Sequence, residues 1–253
     1  MIRAEVQHDP VAVHEFDCEH GMLVRFSHPN VIKIMGAGRS PRRFVVLEFL
    51  ANGSLHTALS SNINTGKGSL FSRHRPTFGW PNLFAKARDL ADALDYLHRR
   101  CCENASVLHR DLKPDNVGFT ADGTLKLFDF GLCTVVRRRC HDNEAYDMTG
   151  NTGSLRYMAP EVALRKPYTE KVDVYSFGIM VWQMATDVVP FKGMNREDFM
   201  DRVAKRDERP PMDRSWPKEF QSLLKACWDV NPLHRPSFHV IVQQLAWLQQ
   251  QRH

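Results

Sequence analysis

The chain has 253 residues, 43% hydrophobic and 25% charged, the balance of a globular protein with room for one large domain or two modest ones rather than of a disordered chain. Its net charge of +5 is local, because Arg137, Arg138 and Arg139 in "VVRRRC" supply three of those charges; with no basic stripe, interleaved stacking aromatics or reader motif, nucleic acid is not expected as a partner. No run approaches about 18 uninterrupted apolar residues and "MIRAEVQHDP" lacks the basic-then-apolar profile of a secretory leader, so no membrane segment is expected and a cytoplasmic location is.

Over residues 15–28, Phe16, Leu23 and Phe26 among polar neighbours predict an amphipathic helix, stopped by the proline of "SHPN". "VIKIMGAG" and "RRFVVLEFL" predict two strands able to pair as a hairpin around a turn at Gly36 to Pro41. "NGSLHTAL" opens a short helix. Residues 60–79, rich in Ser, Gly and Asn, predict a long surface loop. In "WPNLFAKARDLADALDYLHRR", Leu83, Ala87, Leu90, Ala91, Leu94 and Leu97 recur at three-to-four spacing with Pro81 near the first turn, which predicts a buried helix.

Residues 105–128 alternate short apolar runs with turns, as short strands and loops do. Beyond residue 161 the pattern is helical again. "VDVYSFGIMVWQMA" is apolar nearly all round and belongs inside a bundle, and "FQSLLKACW" and "HVIVQQLAWLQQ" close the chain as two more helices. The expected fold class is α+β, a front part of one helix and short antiparallel strands followed by a mainly helical body. The six cysteines, Cys18, Cys101, Cys102, Cys133, Cys140 and Cys227, fall at no metal-ligand spacing and are expected as reduced thiols.

Chemistry concentrates in "LHRDLKPDNVGF" at 108–119, where Arg110, Asp111, Lys113, Pro114, Asp115 and Asn116 crowd between two apolar runs. Such a loop packs poorly, but it suits the positioning of a reactive hydroxyl beside a cation. Eighteen residues after Asp111, "FDFG" places a further carboxylate, Asp129, behind the apolar run "LKLF". Carboxylates at strand ends are what a hard Mg²⁺ uses, because it keeps waters and takes only one or two protein carboxylates alongside phosphate oxygens.

"HRDLKPDN", "DFG" and "APE" (Ala159, Pro160, Glu161) occur in that order, and from about residue 15 onward the chain resembles the eukaryotic protein kinases. The resemblance implies roles for the matched positions. Asp111 accepts the proton of the substrate hydroxyl, Lys113 neutralises charge on the travelling phosphoryl group, and Asn116 with Asp129 holds Mg²⁺. "LEFLANGSL" resembles the hinge that meets adenine, with Leu47 lining the back of an ATP pocket and Glu48 to Leu50 offering backbone donors and acceptors. His109 is a packing residue in that family and is given no acid–base role.

Further matches are architectural or regulatory. Lys113 with Pro114 resembles the loop of kinases that act on serine and threonine in protein substrates. "CWDVNPLHRPSF" resembles the closing motif of the tyrosine-kinase-like group. Glu161 and Arg235 match an ion pair, Asp173 an acid that braces the catalytic loop, and Ser154 a hydroxyl that bonds Asp111 and Lys113. Arg110 resembles an arginine that receives a phosphorylated segment, for which Thr149 or Thr152 is favoured over Thr134 and Tyr146.

"VAVH", ending at His14, looks like the V-A-V-K that carries a kinase's phosphate-binding lysine. A helix glutamate pairs with that lysine, and Glu19 fits its place before "HPN". His14 lies only five residues before Glu19, too few for the intervening strand end, connection and helical turns, so "VAVH" is expected to be a chance likeness. No lysine precedes Lys33 and no G-x-G-x-x-G precedes Glu19. The expected organisation is therefore a partial N-terminal lobe at 1–50, truncated before its glycine-rich loop and lysine, with a hinge at 48–50, and a C-terminal lobe at 51–253. Two functions follow: an ATP- and Mg²⁺-dependent Ser/Thr kinase weakened by what is missing, or a non-catalytic, pseudokinase-like binding or scaffold module.

Overall fold

The computed structural model describes residues 20–40, 43–64, 76–137, 146 and 153–251, with the backbone alone at 61–64. His14, Glu19, Arg138, Arg139, Thr149, Thr152, Cys18 and Cys140 lie outside them. Residues 20–23 are helical, and the chain leaves the helix before the proline of "SHPN". Strand β1 (Ile34–Gly38) then pairs antiparallel with β2 (Phe44–Leu47) around a bulge between Ile34 and Gly36. The hairpin is the expected one, but β1 begins at Ile34 rather than Val31. Residues 30–33 bond elsewhere: Leu127 donates to the Asn30 carbonyl at 2.8 Å and accepts from Ile32 at 2.9 Å, while Glu48 donates to the Lys33 carbonyl at 2.9 Å. The two bonds to Leu127 hold the front part against the body.

Helix α1 (Leu55–Asn64) takes the first residues of the stretch expected as a loop at 60–79. That expectation is corrected over 60–64, where an established helix propagates through Ser and Asn although neither favours it. Helix α2 (Trp80–Asp95) carries Pro in its first turn, where the missing N–H is harmless, and runs into a π-helical turn at Tyr96–Arg100. All six positions picked out by their spacing are buried, Leu83 at 1% exposure and the other five at 0%.

Two further two-stranded antiparallel ladders follow from short segments. β3 (Ala105–Leu108) pairs with β6 (Thr134–Arg137), and β4 (Val117–Phe119) pairs with β5 (Leu125–Leu127). The single turn α3 (Pro160–Ala163) leads to α4 (Lys171–Thr186), in which every residue from Val172 to Ala185 is buried. A helix apolar on all sides becomes the axis of the body. Short α5 (Arg196–Asp198) opens on a capping box with Asn195 and continues as a π-helical segment at Phe199–Lys205. Helices α6 (Lys218–Cys227) and α7 (Phe238–Gln250) complete the bundle, α7 lying along α2. Trp80, Phe84, Trp216 and Phe220 form an aromatic cluster with centroid separations of 5.3 to 5.9 Å.

The α+β architecture agrees with expectation. Among the described residues no helix is long and apolar enough to cross a membrane.

Candidate active site

The loop between β3 and β4 is anchored by Asp173, on the first turn of α4. Its Oδ2 accepts from the His109 N–H at 2.8 Å and faces His98 Nε2 at 2.8 Å, and its Oδ1 accepts from the Arg110 N–H at 2.8 Å. Burial opposes the charge on this carboxylate. The His98 bond, the two nearby imidazoles and the Arg110 N–H outweigh it and hold the pKa below the usual range. The expected brace is present, and His98 is a member that sequence reading missed.

His109 is fully buried, with its ring 5.3 Å from that of Phe130. Nδ1 accepts the Asp111 N–H at 3.4 Å and Nε2 faces the Phe128 carbonyl at 3.3 Å. Those partners suit the neutral ring with its proton on Nε2. Burial lowers its pKa despite the neighbouring carboxylates. The residue packs and ties loop to loop, as expected.

Two non-glycine residues turn the chain through left-handed conformations here, Arg110 at φ 66° and Asp129 at φ 65°, each costing about 1–2 kcal/mol. The turn at Arg110 leaves Asp111 held from several sides. Oδ2 accepts from Lys113 Nζ at 2.5 Å and Asn116 Nδ2 at 3.2 Å, and Oδ1 accepts from the Ser154 N–H at 2.8 Å. Asn116 Nδ2 also donates to the Asp111 carbonyl at 2.9 Å. The structure thus joins Asp111, Lys113, Asn116 and Ser154, but Ser154 enters through its backbone N–H, where the resemblance implied its hydroxyl. Gly153 makes this approach possible: at φ +95°, a Cβ there would stand 2.5 Å from the Arg110 carbonyl oxygen. Its need for a positive φ is the signal that sequence reading passed over.

Asp129 is exposed, with Oδ1 3.4 Å from the Gly131 N–H. The Phe128 N–H donates to the Asn116 carbonyl at 3.0 Å, so the segment bearing Asp129 is hydrogen-bonded to the residue that follows the loop. Asn116 spends its amide nitrogen on Asp111, which leaves its Oδ1 as the atom able to face a cation. Among the described residues no cluster of three or more His, Cys, Asp or Glu could hold a metal. One carboxylate and one amide oxygen are instead a set that suits Mg²⁺ shared with phosphate oxygens.

In the stretch expected as a hinge, Leu47 is 39% exposed and pairs with Ile34 at the end of the hairpin. The Glu48 N–H is committed to Lys33, and the Glu48 carboxylate bonds Lys126 Nζ at 2.8 Å and the Lys33 N–H at 2.7 Å. The Leu50 N–H has no bond among the described residues and stays available to a ligand. Beneath it lies Gly118, where a Cβ would meet Leu50 Cδ1 at 2.6 Å, the Gly53 carbonyl at 3.0 Å and Phe128 Cε1 at 3.2 Å. The absent side chain lets hinge and loop close together, with the Phe119 N–H reaching the Gly53 carbonyl at 3.0 Å.

Outside the loop, Arg235 reaches Glu161 through two nitrogens at 2.6 and 3.0 Å, the expected ion pair. Arg110 bonds the Leu132 carbonyl at 2.7 Å and lies 3.3 Å from the Tyr168 hydroxyl. Tyr146, on the segment proposed for modification, bridges Tyr168 through backbone bonds of 2.9 and 3.2 Å.

Comparison with known proteins adds to this geometry. A family model described as protein tyrosine and serine/threonine kinase matches residues 3–245, starting upstream of the position near residue 15 where sequence reading placed the likeness. The chain is 34% identical over 232 residues to serine/threonine/tyrosine-protein kinase HT1 of Arabidopsis thaliana, covering 91% of this chain and 54% of that protein. It is 33% identical over 243 residues to mitogen-activated protein kinase kinase kinase 7 of Drosophila melanogaster, covering 92% of this chain and 33% of that one. Dual specificity protein kinase shkE of Dictyostelium discoideum is 32% identical over 234 residues, 91% of this chain and 30% of the relative. The chain spans about half the length of HT1 and less of the other two.

Proposed function

The chain belongs to the protein tyrosine and serine/threonine kinase family, among eukaryotic-type kinases of the tyrosine-kinase-like kind, and from that premise we propose that it transfers the γ-phosphoryl group of ATP to Ser/Thr hydroxyls of protein substrates. Bound ATP with Mg²⁺ would supply the phosphoryl group and most of the charge compensation. The chain's own residues position the reactants and take up the proton. Asp111 accepts the hydroxyl proton on its carboxylate, Lys113 carries positive charge beside it, and Asn116 Oδ1 with Asp129 holds the metal. Leu47, Glu48 and Leu50 form the adenine edge of a hinge at 48–50, between an upper part at 1–50 and a body at 51–253, with Leu50 supplying the free N–H. "DLKPDN" favours Ser/Thr over tyrosine, although two of the relatives carry names that include tyrosine or dual specificity.

The observation that carries this reading is the three-sided hold on Asp111, by Lys113, Asn116 and the Ser154 N–H. A salt-bridged structural acid does not need a loop braced from below by Asp173; a proton acceptor that must meet an incoming hydroxyl in one orientation does. The test is ATP-dependent labelling of a Ser/Thr peptide library by the purified chain. Transfer above background that falls at least about a hundredfold in Asp111→Asn and in Asp129→Ala, with circular dichroism unchanged, is the expected result. Labelling no higher than that of those variants would leave a non-catalytic binding module instead.

A further inference from the structure

Cys101 and Cys102 sit together where α2's π-helical turn ends, and Cys102 stands three residues before strand β3 begins at Ala105. Neither takes part in the kinase site described above. The Cys101 N–H donates to the Tyr96 carbonyl at 2.8 Å, and its thiol bonds the Leu97 carbonyl at 3.1 Å and the Cys102 sulfur at 3.8 Å. On the other side, Ser106 in β3 bonds back to the His98 carbonyl at 2.8 Å. Both thiols are partly exposed. The result is two sulfur atoms side by side on a short segment tied at each end.

Their spacing decides what such a pair can do. Consecutive Cα atoms stand about 3.8 Å apart across a trans peptide, below the roughly 4.4 Å lower bound for ordinary disulfides, and an S–S bond is only about 2 Å long. Closing a disulfide therefore demands backbone distortion. A single soft atom bonded to both sulfurs demands much less, since the sulfurs need not touch, and soft thiolates select soft acceptors.

We propose that Cys101 and Cys102 form a dithiol site for thiophilic trivalent metalloids, of which a monosubstituted arsenous species is the type. In the step, two As–S bonds form and two As–O bonds of the arsonous acid break. The two thiol protons leave with those oxygens as two water molecules, and arsenic stays trivalent, so no oxidant or reductant is needed. The pre-set sulfur spacing lowers the ordering cost of chelation, as preorganisation does for any bidentate ligand.

The test uses phenylarsine oxide with the full chain and intact-mass spectrometry under native conditions. One phenylarsenic group per chain should survive excess glutathione, come off with dimercaptopropanol, and map after digestion to the peptide that contains Cys101 and Cys102. It should be lost in Cys101→Ser and in Cys102→Ser, each with an unchanged thermal melt, and kept in Cys133→Ser. Absence of a glutathione-resistant adduct, its retention in either of the first two variants, or its mapping to another peptide would overturn the proposal. Mapping is read on the unaltered chain, so it decides the matter even where a variant folds poorly.

Discussion

Arg235 and Glu161 meet through two parallel nitrogen-to-oxygen contacts of 2.6 and 3.0 Å, with Arg235 at 1% and Glu161 at 8% exposure. The guanidinium also donates to the Asp229 carbonyl at 2.9 Å and the Lys171 carbonyl at 3.1 Å, and it lies 5.2 Å from the Tyr175 ring centre. The pair joins the single turn α3 to the start of α4 and the loop before α7. Removing one partner strands the other charge in a dry site. Arg235→Ala should therefore lower unfolding stability by about 3–5 kcal/mol, read from urea denaturation. A double replacement Glu161→Gln with Arg235→Met should recover part of that loss. A cost for Arg235→Ala below about 1 kcal/mol would show that water reaches the pair, as at exposed ion pairs.

The buried imidazole of His109 gives the fold a pH dependence whose sign follows from its lowered pKa. Around it stand the carboxylates of Asp173, Asp111 and Asp129, which favour the charged ring, and the Phe128 carbonyl and Phe130 ring; burial prevails. In the unfolded chain histidine titrates near 6.5. Below that pH the unfolded state binds a proton that the folded state refuses, so stability is fully present above it and declines as pH falls toward the folded pKa. His28, with burial lowering its pKa against the pull of Asp92, acts in the same direction. The melting temperature should thus drop between pH 7 and pH 5, and His109→Gln should flatten that slope. A slope unchanged in the variant would place its origin elsewhere.

Gly118 links the hinge to the floor of the proposed nucleotide site. Gly118→Ala would push against Leu50 Cδ1, which can rotate away, and against the Gly53 carbonyl, which is fixed by its bond to the Phe119 N–H. The displacement falls on Leu50, whose N–H is the proposed hinge donor. Nucleotide affinity, measured by calorimetry with ATP and Mg²⁺, should fall several-fold while the melting temperature changes little. Equal affinity in the variant would mean that the hinge adapts without moving that N–H.

How much of this was legible in advance differs by the range of the forces involved. The helices were readable because Leu83 through Leu97 repeat at the helical period, and α4 because a segment apolar on every side has only the interior to occupy. The loop residues Asp111, Lys113 and Asn116 were readable because "HRDLKPDN" resembles a motif of a known family, and the structure does bring them together. The start of β1 was not, since Val31 to Lys33 answer to Leu127 and Glu48, far away in sequence. The uses of Gly118 and Gly153 were equally hidden. A glycine's value there lies in what a Cβ would strike, and only the folded neighbours Leu50, Gly53 and Arg110 define that.

Gly153 offers the sharpest separation of catalysis from folding. Its φ of +95° is a conformation that side chains disfavour, and a Cβ would also come within 3.3 Å of Asp111 Oδ1. Gly153→Ala should cost about 1–2 kcal/mol of stability from the backbone alone, leaving the protein folded. Its larger effect should be to move the Ser154 N–H away from Asp111, freeing one carboxylate oxygen to swing toward Lys113. Phosphoryl transfer would then fall by about tenfold or more, because misplacing a catalytic group by even a fraction of a bond length carries such penalties. The two readouts divide the outcome. Activity falling only in proportion to the folded fraction would show that Lys113 and Asn116 alone suffice to orient Asp111.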